Sequence, residues 1–74
     1  MKTKAERQFW QLPSKYQVWV RMERSQRPLY GYWAAIRSEG PPKRSWEAHG
    51  DTPHQAAAEA LREFHKWRKE HPDA

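Results

Sequence analysis

The sequence predicts an α+β domain: a three-stranded antiparallel β-meander packed on one C-terminal α-helix (βββα), preceded by a basic N-terminal arm or short helix. Three observations predict it. Two runs alternate apolar and polar residues with the period of a half-buried strand. Proline and glycine clusters punctuate them at hairpin spacing. A helix-start signature then precedes an alanine-rich amphipathic run. At 74 residues the chain makes one domain with one small core. With 36% hydrophobic residues and five tryptophans it is too rich in large rings for a solvated, disordered chain.

Residues 1–15 form the arm or short helix. KAERQFWQL mixes helix formers with Phe9, Trp10 and Leu12, and Pro13-Ser14 is expected to end it. The βββα domain occupies residues 16–71. From Tyr16 to Arg24, residues Tyr16, Val18, Val20 and Met22 fall on one side and Gln17, Trp19, Arg21 and Glu23 on the other. Ser25 to Leu29 makes the first turn. Tyr30 to Ser38 is the second strand, with Tyr32, Ala34 and Ile36 on one face and Trp33, Ala35 and Arg37 on the other. SEGPPK interrupts the ladder, because paired prolines cannot continue it. Lys43 to His49 is a short third strand, and strands joined by short links form a meander. Thr52 as N-cap, Pro53 at the first helical position and Gln55 completing a capping box then open a helix. Its apolar stripe is Ala57, Ala60, Leu61, Phe64 and Trp67, and His71-Pro72 ends it.

Charge is placed unevenly. The net charge is +5. Lys2, Lys4, Arg7 and Lys15 against Glu6 put residues 1–15 at +3. Six cations against Glu23 and Glu39 put residues 16–46 at +4, and the remainder carries −2. Such asymmetry points to a polyanion, nucleic acid first and an acidic protein surface next.

Several chemistries have no support in the sequence. There are no cysteines, so disulfides and thiolate metal sites are excluded. His49, His54, His65 and His71 include no pair at one-turn helical spacing, so no metal site is expected. With no glycine-rich elbow or phosphate loop, no catalytic residue is assigned and no cofactor is implied. The start MKTKAERQ lacks a signal peptide's apolar stretch and no run reaches membrane-span length. The expectation is a soluble, cytoplasmic protein without a membrane partner, monomeric or dimeric.

The informative feature is the strand face opposite the helix. If Val18, Val20, Met22, Tyr32, Ala34 and Ile36 face the helix, alternation sends Trp19, Arg21, Trp33 and Arg37 to the other side. Trp and Arg dominate binding hot spots, and Arg forms bidentate bonds to guanine or phosphate. The alternative is that Phe9 and Trp10 fold back over this face and cover it.

Trp33-Ala34-Ala35-Ile36-Arg37, then Arg44-Ser45-Trp46, then Asp51-Thr52 with Ala56-Ala57, resembles the APETALA-type ethylene-response-factor DNA-binding domain and its relatives in phage integrases and homing nucleases. That resemblance implies a three-stranded sheet laid in the major groove of duplex DNA, with Arg21, Trp33, Arg37, Arg44 and Trp46 as contacts. Alternation alone prefers Trp46 and Ala48 inside. Gly50-Asp51-Thr52-Pro53 followed by an alanine-rich helix is similar to the HicB antitoxin core, which implies a protein partner bound through Trp19 and Trp33, with Trp46 inward. The helix, three strands and AAAEALREF also resemble a double-stranded RNA-binding domain, without the lysine cluster that opens its last helix. The nucleic-acid candidates are therefore Trp19, Arg21, Trp33, Arg37, Arg44 and Trp46, with duplex DNA favoured over RNA and an acidic protein as the alternative partner.

Overall fold

The computed structural model describes residues 2–25, 31–41 and 43–72. Five elements run in the order α1 (Lys4–Lys15), β1 (Val18–Arg24), β2 (Tyr32–Ser38), β3 (Ser45–Gly50) and α2 (Pro53–Glu70). The strands form one antiparallel sheet in the order β1-β2-β3. Both helices pack on the same face, α1 against β1 and α2 against β2 and β3, and the helices touch each other. The expected meander and C-terminal helix are present, and a full N-terminal helix joins them in one core.

That helix forms for reasons the local sequence contains. Thr3 is its N-cap, and a reciprocal capping box links the Thr3 side chain to the Glu6 backbone and the Glu6 side chain to the Thr3 backbone. These hydrogen bonds stabilise the ionised carboxylate and hold the Glu6 pKa below its ordinary value. α1 does not stop at Pro13-Ser14 but runs through Pro13 to Lys15. Pro13 lies in the last turn, where one missing N–H costs a single intrahelical bond. Leu12, 3% exposed, anchors that turn in the core, and the Tyr16 amide donates to its carbonyl at 2.8 Å.

Tyr16 is therefore the C-cap of α1 and not the first residue of a strand. β1 begins at Val18, and the third strand covers Ser45–Gly50 in place of Lys43 to His49. The first turn from residue 26 onward, Tyr30 and Pro42 lie outside the described residues. At the start of α2, Thr52 caps as expected, accepting from the Gln55 amide at 3.1 Å. Gln55 does not close the box: its side-chain oxygen accepts from the Asp51 amide at 2.8 Å, one residue before the cap. Gly31 has φ +64, and a Cβ there would lie 2.7 Å from the Asp51 carbonyl oxygen, so this position requires glycine on both counts.

The core joins Phe9 and Leu12 of α1, Val18, Ala34 and Ile36 of the sheet, and Ala56, Ala57, Ala60, Leu61 and Phe64 of α2. Ala56 joins the predicted stripe, while Trp67 sits half-buried at its end. Ala56, Ala57 and Ala60 are fully buried, small side chains that let α2 approach the sheet closely, and Phe64 packs edge-on against Tyr16 and Trp46 further along the helix. No buried side-chain polar atom among the described residues lacks a hydrogen-bond partner.

Candidate nucleic-acid interface

Putting both helices on one face leaves the other face of the sheet uncovered. Phe9 is fully buried under the helix layer, so residues 4–15 do not fold over the strands' far side. Trp10 is 41% exposed on the outside of α1, edge-on to Phe9 and beneath the Lys2 ammonium.

Strand register orders the uncovered face into three cross-strand rows. Trp19, Arg37 and Ser45 form the first, Arg21, Ala35 and Glu47 the second, and Glu23, Trp33 and His49 the third. Four of the six predicted contact residues, Trp19, Arg21, Trp33 and Arg37, therefore share this face.

The rows differ in chemistry. In the second and third, the charges are already committed. Arg21 pairs with Glu23 along β1. The Trp33 indole N–H donates to Glu47 at 2.9 Å, a diagonal contact across β2 and β3. Ala35, between Arg21 and Glu47 in the second row, is 1% exposed although it lies outside the packed cluster under the helices. In the first row, Trp19 is 64% exposed. Its register partner Arg37 is exposed too and makes no side-chain hydrogen bond or ion pair among the described residues.

Arg44 and Trp46 do not join the other four. Trp46 pairs with Ile36 and Ala48 with Ala34, both inward-facing positions on β2, so the two-residue period carries Trp46 to the helix side. There it meets Phe64 edge-on at 5.0 Å and Trp67 at 5.3 Å. Arg44, just before β3, lays its guanidinium over Trp67 at 5.1 Å. The arrangement is the one that alternation preferred. The outward phase implied for Trp46 by the APETALA-type resemblance would instead turn Glu47 into an apolar interior.

Sequence reasoning also missed a cluster around the ends of the helices. Arg68 lies over the Tyr16 ring at 4.2 Å and donates to its hydroxyl at 3.1 Å. His71 stacks on Trp67 at 4.8 Å. Cations over aromatic faces gain electrostatic attraction while keeping N–H donors available. No spacing rule shows these pairs, since Tyr16 and Arg68 are 52 positions apart.

Among the described residues no three His, Asp or Glu side chains gather as a metal site. No helix among the described residues is long and apolar enough to cross a membrane. A cavity of about 360 Å³ lies beside β3, lined by Trp46, Glu47, His49, Glu59 and Glu63 among others. It is open and acid-rimmed. No protein-family model, no curated protein and no solved structure matches the chain.

Proposed function

We propose that this protein is a small nucleic-acid-binding module that docks duplex DNA on the uncovered face of its sheet, with Trp19 and Arg37 as the principal contacts and Arg21 and Trp33 beside them. The observation that carries this reading is the first row: a tryptophan 64% exposed beside an arginine with no described partner, on a face that no helix covers. The isoelectric point near 9.9 supplies the favourable field for a polyanion.

Duplex DNA is favoured over duplex RNA on geometric grounds. Strands spaced about 4.8 Å apart make a three-stranded face about 10 Å across between outer strand axes. The major groove of B-form DNA is about 12 Å wide and displays base edges. The deep, narrow major groove of A-form RNA does not admit such a face.

A protein partner is the second reading, favoured by the balance of Arg21 with Glu23 and the Trp33–Glu47 hydrogen bond, which make two of the three rows resemble a mixed-charge protein interface. Fluorescence anisotropy with short mixed-sequence DNA and RNA duplexes separates the readings. The expected outcome is tighter binding to DNA, weakened at least about tenfold by Trp19→Ala, with Arg37→Ala flattening the logarithmic salt slope by about 1. Absence of binding to either duplex at low salt, together with capture of one stoichiometric protein lost on Trp33→Ala, would reverse the order of the two readings.

A further inference from the structure

The sheet has two ends, and they differ in charge. At one end α1 and α2 both terminate, β1 and β3 begin and β2 finishes. The Glu39 amide donates to Gln17 at 3.0 Å and the Ser38 amide to Arg44 at 2.8 Å, binding these segments together. Lys15, Arg37, Lys43, Arg44, Arg68 and Lys69 lie at this end, against Glu39 and Glu70. At the opposite end, Lys2, Lys4, Arg7 and Arg24 meet Glu6, Glu23 and Asp51. Among the described residues the first end carries an excess of four positive charges and the second an excess of one.

Helix electrostatics explain half of this. Lys15, Arg68 and Lys69 sit in the last turns of the helices, where cations offset the negative end of the macrodipole. Arg37, Lys43 and Arg44 belong to a strand and a loop and have no such role. Arg37 and Lys43 make no side-chain hydrogen bond or ion pair among the described residues; the Arg44 backbone is tied to Ser38, whose hydroxyl accepts from its amide, and its guanidinium lies over Trp67. Trp67 is itself fixed by Trp46 and His71, so the guanidinium is positioned by packing while its N–H fork stays available. A planar, pre-positioned fork suits phosphate oxygens.

We infer that this end of the sheet is a track for the phosphate backbone of a nucleic acid, on which Lys43 and Arg44 hold the strand that runs off the Trp19–Arg37 row. The inference rests on the nucleic-acid reading and extends it, because it assigns backbone contacts to residues outside the sheet face. Arg37 lies opposite Ser45, so Arg44 stands one residue beyond that row with its guanidinium over Trp67 on the helix side, and the track passes from the bare face around this end of the sheet.

The test measures salt-dependent anisotropy of a short mixed-sequence DNA duplex with the full chain and with matched charge variants. Lys43→Ala/Arg44→Ala is expected to reduce the logarithmic salt slope by about 2, since each phosphate contact releases close to one counterion. Lys4→Ala/Arg24→Ala, an equal charge change at the other end, should leave the slope unchanged. Lys43→Ala alone removes an exposed side chain without a partner among the described residues and should reduce the slope by about 1 whatever Arg44 contributes to packing. Arg44→Lys should retain most of the slope. An unchanged slope in Lys43→Ala/Arg44→Ala, with Trp19→Ala still weakening binding, would overturn the track and leave the sheet-face reading standing. Equal loss in both double variants would also overturn it, as diffuse attraction. No binding by the unaltered protein removes the track and the sheet-face reading together.

Discussion

Trp19 and Trp46 occupy the two outer strands of one sheet and have opposite fates. Trp46 faces the helices, meets Phe64 and Trp67 edge-on and is half-buried, whereas Trp19 faces away and is 64% exposed. Neither intrinsic propensity nor strand position separates them; the pleat does, together with the placement of both helices on one side. A fold with one layer of helices has to leave one sheet face bare, and the chemistry on that face is then free of packing constraints. On the covered face Val18, Ala34 and Ile36 are buried and Val20, Met22, Tyr32, Trp46 and Ala48 pack beside them, while the bare face mixes tryptophan, arginine, glutamate and histidine.

The sharpest way to break the contrast is to truncate one large side chain on each face. Phe64→Ala removes a ring that is 3% exposed and touches both Tyr16 and Trp46, and should cost about 3–5 kcal/mol. Trp19→Ala should change stability by no more than about 0.5 kcal/mol while abolishing most nucleic-acid affinity. Urea unfolding followed by far-ultraviolet circular dichroism measures both, and equal losses would show that the exposed indole packs after all.

Gly31→Ala comes next, since it combines an unfavourable φ with a close approach to Asp51, and should destabilise by more than about 1 kcal/mol in the same assay. Thr3→Ala removes the N-cap of the helix that buries Phe9 and Leu12 and should cost about 1 kcal/mol. A cost near zero would mean that α1 is held by its core contacts alone.

The smallest expected effect is on pH dependence. The folded state lowers the Glu6 pKa, so the associated stability is present above the ordinary carboxylate value of 4.5 and is lost as pH falls through the lowered one. The His65 pKa is also held low, chiefly by partial loss of solvent around its ring and secondarily by Arg68, so the unfolded chain takes up that proton first and stability declines as pH drops below about 6.5. Glu6→Gln should flatten the acid limb below pH 4.5, and His65→Asn the region just below pH 6.5, each read from the urea midpoint against pH.

Local patterns made much of the fold legible. Alternation from Tyr16 to Arg24 and from Tyr30 to Ser38 located the first two strands and their faces, observed at Val18–Arg24 and Tyr32–Ser38, and Thr52-Pro53 located the start of α2. Proline chemistry misled at Pro13, because the rule concerns an isolated helix and the buried Leu12 overrides it. Among the candidate contacts, Trp19, Arg21, Trp33 and Arg37 followed from period alone, and their gathering on one face is a matter of register. Likeness to a family motif points Arg44 and Trp46 outward, against their own alternation; pairing with Ile36 carries Trp46 to the helix side, and Arg44, just before β3, lies over Trp67.

Short-range features are written into the order of the residues: which segments coil, which extend, where the caps lie and which residues share a strand face. These depend on backbone sterics and on side chains within about one turn of each other. Tertiary structure decided that α1 would lie beside α2 and leave the far face bare, that Trp46 would clamp Trp67 beneath Arg44, and that six cations would gather where the helices end. Those outcomes depend on contacts between residues tens of positions apart, fixed only when apolar surface is buried across the whole chain at once.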